Sequence, residues 1–335
     1  MFLEKIIERL DVHVVKNIVL EDLAIDFTNA DSWATTVSSD NMIARLTHIP
    51  GFTWPIQKVQ LKVVIRDNGR DVGKLESPYQ PASVSGGIIS STICRSTMTV
   101  IDGSRSAFSD FVTALATKDQ HTFAVRGSAD IIFNLGLLGK HSINGVDFLS
   151  DLTLRGLNNL PMIKCTAITD ITVNGNELLL KVTLDILNPS QLSLTLGDLT
   201  LSILSLADDL SSEDKNQVKD GASTNGRGEE QRDPQHMILQ PMGTIILDDL
   251  TLTLGMNGSK TATIKLDTSL KTTKQFLKGI EKEPKTVQLR GFHGTSKNEA
   301  LASGLASMTT SLVMPIIPSP AFPTEAPVEA ASLKA

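Results

Sequence analysis

Leu178-Leu179-Leu180-Lys181-Val182-Thr183-Leu184-Asp185-Ile186-Leu187-Asn188-Pro189-Ser190-Gln191-Leu192-Ser193-Leu194-Thr195-Leu196-Gly197-Asp198-Leu199-Thr200-Leu201 is the stretch on which the fold turns. Leu178, Leu180, Val182, Leu184 and Ile186 fall on one face of an extended chain, with Lys181, Thr183 and Asp185 on the other. A period of two is the mark of a half-buried strand. The alternation stops at Asn188-Pro189-Ser190 and resumes at Leu192, Leu194 and Leu196, then at Leu199, Leu201 and Ile203. Pro189 cannot donate to a ladder and biases Asn188 towards extended backbone, so these residues read as a strand break. Asn188, Pro189, Ser190 and Gly197 are therefore a structural motif.

Outward from this stretch the same pattern recurs at Val59/Leu61/Val63/Ile65, Leu250/Leu252/Leu254 and Ala262/Ile264/Leu266. Many short strands imply an antiparallel sandwich or barrel. Asn68-Gly69, Asn174-Gly175 and Asn257-Gly258 supply pairs that tolerate positive φ, and each predicts a hairpin turn. Helical spacing is brief: the first ten residues, Phe108/Phe111/Val112/Leu115, Phe276/Leu277/Ile280 and Leu301/Leu305/Met308. Two of these segments expose a repeat. Phe111 precedes Val125-Arg126-Gly127, and Phe276 precedes Leu289-Arg290-Gly291, at glycine offsets of 16 and 15 residues. Gly73 and Gly243 stand upstream of the two copies. The expected class is mainly β, two tandem antiparallel sandwiches with accessory helices, over 1–157 and 158–314. Breakers at Gly156 to Pro161 mark the junction.

Residues 207–236 carry eight acids and four bases without an aromatic, a composition that predicts a disordered insertion in the second copy. Prolines 315, 318, 320, 323 and 327 predict a disordered tail over 315–335. Met1–Leu10 has charges inside what would be the apolar part of a secretion signal, and the longest apolar run, 131–139, is too short for a bilayer-crossing helix. Of the net charge of −6, the insertion holds −4. The nearly neutral remainder has no basic stripe, which argues against a nucleic-acid partner.

The chain shows no motif for catalysis. His13, His48, His121, His141, His236 and His293 include no pair at ligand spacing on one helical face, and no metal or cofactor site is expected. Gly304-Leu305-Ala306-Ser307-Met308 lacks the second glycine of a nucleophile elbow. Asp208/Asp209 and Asp248/Asp249 are adjacent, so extended backbone points them apart. Cys94 and Cys165 read as buried inert thiols. Asn257-Gly258-Ser259 is formally a glycosylation acceptor. Phe52 and Trp54, within Ile49–Pro55, form a candidate interaction patch, with packing under a loop as its competing reading.

The run Leu187–Leu201, with its Asn-Pro-Ser, leucines and glycine, resembles the strand pair of late-embryogenesis-abundant type 2 sandwiches. The order of segments over residues 12–313 is similar to a fungal family of tandem LEA-type-2-like proteins that includes a vacuolar membrane protein implicated in terminating autophagy. That resemblance implies an endomembrane or vacuolar setting behind an N-terminal anchor, which this N-terminus lacks, and implies no catalytic residues. The expected function is that of a non-enzymatic interaction module with a protein or lipid partner. Membrane association would require an anchor beyond this sequence. The alternative is a lipid-binding or lipid-transfer module, since leucine-rich strands with few aromatics can open an apolar groove.

Overall fold

The computed structural model describes residues 15–46, 55–134, 136–205 and 239–317. The chain is mainly β with a few short helices. Its first half holds β1 (Val15–Asp26), β2 (Ala34–Leu46), β3 (Ile56–Asp67), β4 (Arg70–Glu76), β5 (Gln80–Ser85), β6 (Ile88–Val100), α1 (Arg105–Thr117), β7 (Gln120–Asn134) and β8 (Lys140–Arg155). The second holds β9 (Ile163–Asn174), β10 (Glu177–Asn188), β11 (Leu192–Ser205), β12 (Gln240–Leu252), β13 (Gly255–Asp267), α2 (Lys271–Ile280), β14 (Lys285–Arg290), α3 (Glu299–Leu305) and β15 (Thr309–Met314). All fifteen strands belong to one continuous sheet.

The strand order repeats. In the second half it runs β9-β10-β13-β12-β11-β14-β15 and returns to β9. In the first half it runs β1-β2-β6-β4-β3-β7-β8, with β5 bridging β3 and β6. Position for position these are the same order, and α1 and α2 both follow the third strand of the series and precede the sixth. Each order contains six antiparallel junctions. Six reversals of direction leave the first and seventh strands parallel. The second half closes through that junction, with Leu312 opposite Ile163 and Val313 opposite Lys164. In the first half no ladder joins β1 to β8 among the described residues; the Ile18 amide donates to Ser150 Oγ at 3.3 Å. The end of β1 instead takes a parallel partner from the other half, Leu23–Asp26 beside Leu192–Thr195.

The two halves stack end to end. α1 covers one end of the first ring with Phe108, Phe111, Val112 and Leu115 and packs on α3. A Cβ on Gly304 would lie 2.3 Å from Val112 Cγ1, so only glycine allows that approach. Asn298 Nδ2 donates to Phe27 O at 2.8 Å, and Trp33 Nε1 donates to Glu299 at 3.3 Å. The connecting residues Asn158, Asn159 and Leu160 are all left-handed, held by Leu157 N to Leu115 O (2.7 Å) and Asn159 N to Ala116 O (2.9 Å). The three helices predicted at these positions are present. The first ten residues, the insertion 207–236, and Phe52 and Trp54 lie outside the described residues.

Three expectations shift. Asn257-Gly258 is not the β12–β13 turn; that turn is at Thr253-Leu254, and Asn257 lies inside β13 at a register shift opposite β10. The β9–β10 loop is Gly175-Asn176, one residue later than Asn174-Gly175. The chain also stays on the fold past Met314: Ile317 is fully buried, its amide donating to Ile280 O at 3.2 Å, because α2 offers it an apolar end.

The repeated Arg-Gly pair, inside β7 in the first copy and at the end of β14 in the second, has a steric cause. A Cβ on Gly127 would stand 2.0 Å from Lys62 O in the neighbouring strand, and one on Gly291 would stand 1.8 Å from Leu305 O. Backbone atoms on both sides cannot step aside as a side-chain tip can. Gly127→Ala should therefore cost about 2 kcal/mol or more, read as a lower urea midpoint; an unchanged midpoint would refute the close-approach account.

Candidate functional site

The two rings bury their interiors to different degrees. In the second, Leu178, Leu180, Leu184, Ile245 and Leu312 are 0% exposed. In the first, Leu61 is 7% and Leu75 is 8% exposed, and the inward-facing Leu20, Val63 and Ile65 are only half-buried. The difference marks a cavity of about 80 Å³ inside the first ring, lined without polar surface. Its walls include Ile18 and Leu23 from β1, Val63 from β3, Phe111 and Leu115 from α1, and Leu152 from β8. It lies under α1 and along the β1–β8 seam that no ladder closes. One cause is legible in register. Ile65 faces Val125 as Ile203 faces Leu289, so Val63 stands where Leu201 stands in the second ring. The shorter side chain leaves a methylene's worth of space that Leu201, 1% exposed, fills.

Beside the cavity wall sits a buried ionisable pair. His121 Nε2 and Asp67 Oδ1 are 3.1 Å apart but not aligned as a hydrogen bond, and the imidazole packs against Phe111 and Phe123. Asn68 Nδ2 donates to the other carboxylate oxygen at 3.2 Å. Neither residue lines the cavity, and the pair ties the end of β3 to the start of β7.

A wider concavity of about 1170 Å³ lies on the outer face of β3, β4, β6, β7 and β8. Its cations are largely engaged: Lys62 with Asp130 at 2.9 Å, Arg95 with Asp26 at 3.1 Å, and Arg126 with Asp71. The hydrogen bond from Lys62, with that from the Gly145 amide, holds the Asp130 carboxyl below its usual range. This groove satisfies its own charges and offers little to an anion. No group of three His, Cys, Asp or Glu side chains suited to a metal occurs among the described residues. No helix among them is long and apolar enough to cross a membrane.

The residues singled out from sequence are placed as follows. Asn188 is 1% exposed and ties the β10–β11 turn together: Nδ2 donates to Leu192 O (2.8 Å) and Thr253 O (3.1 Å), while Oδ1 accepts from the Ser190 amide (3.0 Å) and hydroxyl (2.6 Å). Gly197 has φ of +69° at an irregularity of β11 and faces Thr28 of the first ring. Asn257 is buried, its Nδ2 donating to Thr253 O (2.8 Å) and Gly255 O (3.1 Å), so the folded chain uses that amide as turn glue. Phe52 and Trp54 lie outside the described residues; their neighbour Pro55 accepts from the Asn134 amide at 2.9 Å at the end of the ring far from α1. Cys165 is buried as expected, whereas Cys94 is exposed on the outer face of β6, where its alternation puts it opposite Ile93. Sequence reasoning missed the cavity. Val63 was the available signal, and its meaning depends on the ring.

A protein-family profile described as "Protein of unknown function (DUF3712)" matches residues 83–203, a span from β5 into β11. A search of curated protein sequences finds no match to the chain. Among solved structures the chain is similar to "Enterococcal surface protein, partial N-terminal region" at 10% identity, over 91% of this chain and 95% of that one, with a TM-score of 0.15, too low to carry an argument.

Two outcomes follow. Asn188→Ala takes the acceptor from the buried Ser190 amide and one of two donors from the carbonyls of Leu192 and Thr253, and should cost about 1–3 kcal/mol, measured by chemical denaturation. Burial pushes the Cys165 thiol up to about 11, so at neutral pH a thiol reagent should label Cys94 alone in the native protein and both cysteines in denaturant; native labelling of Cys165 would contradict its placement.

Proposed function

We propose that this protein is a non-catalytic binding module whose first ring takes an apolar group, the end of an aliphatic or lipid chain, beneath α1 along the β1–β8 seam. The observation that carries the reading is the wholly apolar cavity in one ring, set beside fully buried aliphatic side chains in the topologically equivalent ring. Purely apolar cavities stay dry and accept apolar guests, as an engineered cavity of about 150 Å³ does. The space in the first ring admits a chain end and not a head group, and parting of β1 from β8 costs no backbone ladder. This proposal takes up the lipid-binding alternative read from the sequence. The same proposal takes each ring as an LEA-type-2-like sandwich, supported by the repeated strand order and the Asn188-Pro189-Ser190 turn, and by that resemblance assigns the protein an endomembrane or vacuolar setting.

The test is titration of the full chain, purified without detergent, with a fluorescent fatty acid, alongside mass spectra of lipid extracted from the purified protein. Val63→Phe should fill the space, weaken binding about tenfold or more, and leave the thermal midpoint unchanged or higher. Absence of binding by the native chain, or equal binding by Val63→Phe, would overturn the proposal.

A further inference from the structure

The end of the first ring opposite α1 is built from strand ends far apart in sequence. There lie the start of β1, the end of β2, the start of β3, the β5–β6 turn at Gly86-Gly87 and the β7–β8 turn. At the last of these the chain forms a short 3₁₀ turn, Gly136–Leu138, with the Gly136 amide donating to Asn134 Oδ1 (3.1 Å) and the Gly139 amide to Gly136 O (3.0 Å). This ordered turn holds Leu137 entirely in solvent, at 108% relative exposure. Val19 and Ile88, 40% and 37% exposed, belong to the same end.

One exposed leucine is ordinary. What surrounds this one is not ordinary for an acidic chain. Segments 15–20, 42–46, 55–60, 80–90 and 131–146, which make up the described part of this rim, contain Lys16, Arg45, Lys58, Lys140 and His141 and no Asp or Glu. Arg45, Lys58 and Lys140 are exposed. Among the described residues the acids next to these segments are Glu21, Asp40, Asp130 and Asp147, each one step further from the rim, and Asp130 is occupied by Lys62. The whole chain carries −6. A protruding apolar tip ringed by cations matches a surface with negative charge outside and hydrocarbon beneath. A protein partner would need a matching socket, for which a convex tip on a hairpin shows no preformed groove.

We infer that this rim docks onto an anionic lipid bilayer, with Leu137 entering the interface and Arg45, Lys58 and Lys140 contacting head groups. The inference rests on side chains exposed at the rim and not on the interior cavity, which runs from α1 to Ile18 and Met42.

The experiment is flotation of the full chain with vesicles of phosphatidylcholine alone and of equal parts phosphatidylcholine and phosphatidylserine. Recovery with the anionic vesicles is expected, falling as salt is raised and much weaker with the neutral ones. Leu137→Glu, and separately the triple change Arg45→Glu, Lys58→Glu and Lys140→Glu, should each lower partitioning about tenfold or more without shifting the thermal midpoint, since all four side chains are exposed. Val63→Phe should bind vesicles normally, which separates this result from that of the fatty-acid titration. No association with anionic vesicles, or undiminished association of Leu137→Glu, would overturn the inference.

Discussion

A ring of seven strands cannot be antiparallel throughout. Going around it, each antiparallel junction reverses the strand direction, and six reversals bring the seventh strand parallel to the first. Every such ring must therefore contain one parallel junction, whose slanted bonds are slightly weaker per residue. The two halves of this chain meet that constraint in different ways. The second accepts the parallel junction and closes through two residues of β9 and β15. The first leaves it open, and β1 satisfies its edge by running beside β11 of the other half. The contact that joins the halves and the seam that leaves the first ring accessible are thus two consequences of one parity rule.

That choice propagates into packing. Where the ring is closed, long aliphatic side chains pack its interior, and Leu178, Leu180, Ile186 and Leu289 lose all contact with solvent. Where it is open, β1 and β8 are held by side-chain packing and one amide-to-serine bond, and the shorter Val63 does not reach across. α1 and α3 then lock the halves through Gly304 and Val112, so an opening at the seam need not disturb the junction. A filled ring and a leaky one are what a duplicated fold produces when only one copy keeps its seam shut.

Much of this was legible in the sequence because it is local. Alternation marks strands such as β10 and β11, the spacing of Phe108, Phe111, Val112 and Leu115 marks α1, and the two Arg-Gly pairs mark the repeat. What was not legible depends on distant partners. Asn257-Gly258 has the chemistry of a hairpin turn, but the register of β10 against β13 places the turn at Thr253-Leu254 and turns Asn257 inward. Ile317 follows a proline-rich signal yet is captured by α2. Cys94 has the same threonine-rich, apolar surroundings as a core thiol, and only the phase of β6 shows that it faces out. The cavity needs the comparison of Val63 with Leu201, which exists only once both sit in equivalent rings.

The rim is the clearest case of information present in sequence but unreadable along it. Its exposed cations are spread from Arg45 to Lys140, each inside an unremarkable strand, and they become one surface only because the ring brings their strand ends together. The stacking of the halves then gives that surface a direction. The first ring spends its α1 end on the junction, so its opposite end is the free end of the molecule. The second ring faces the junction with α3 and the start of β11, which leaves its α2 end free. There the chain leaves β11 at Ser205 and re-enters at Gln240. Under the docking proposal the exposed cations of the rim are drawn towards a negative surface before any contact forms, and Leu137, held out by its turn, is the group that meets it.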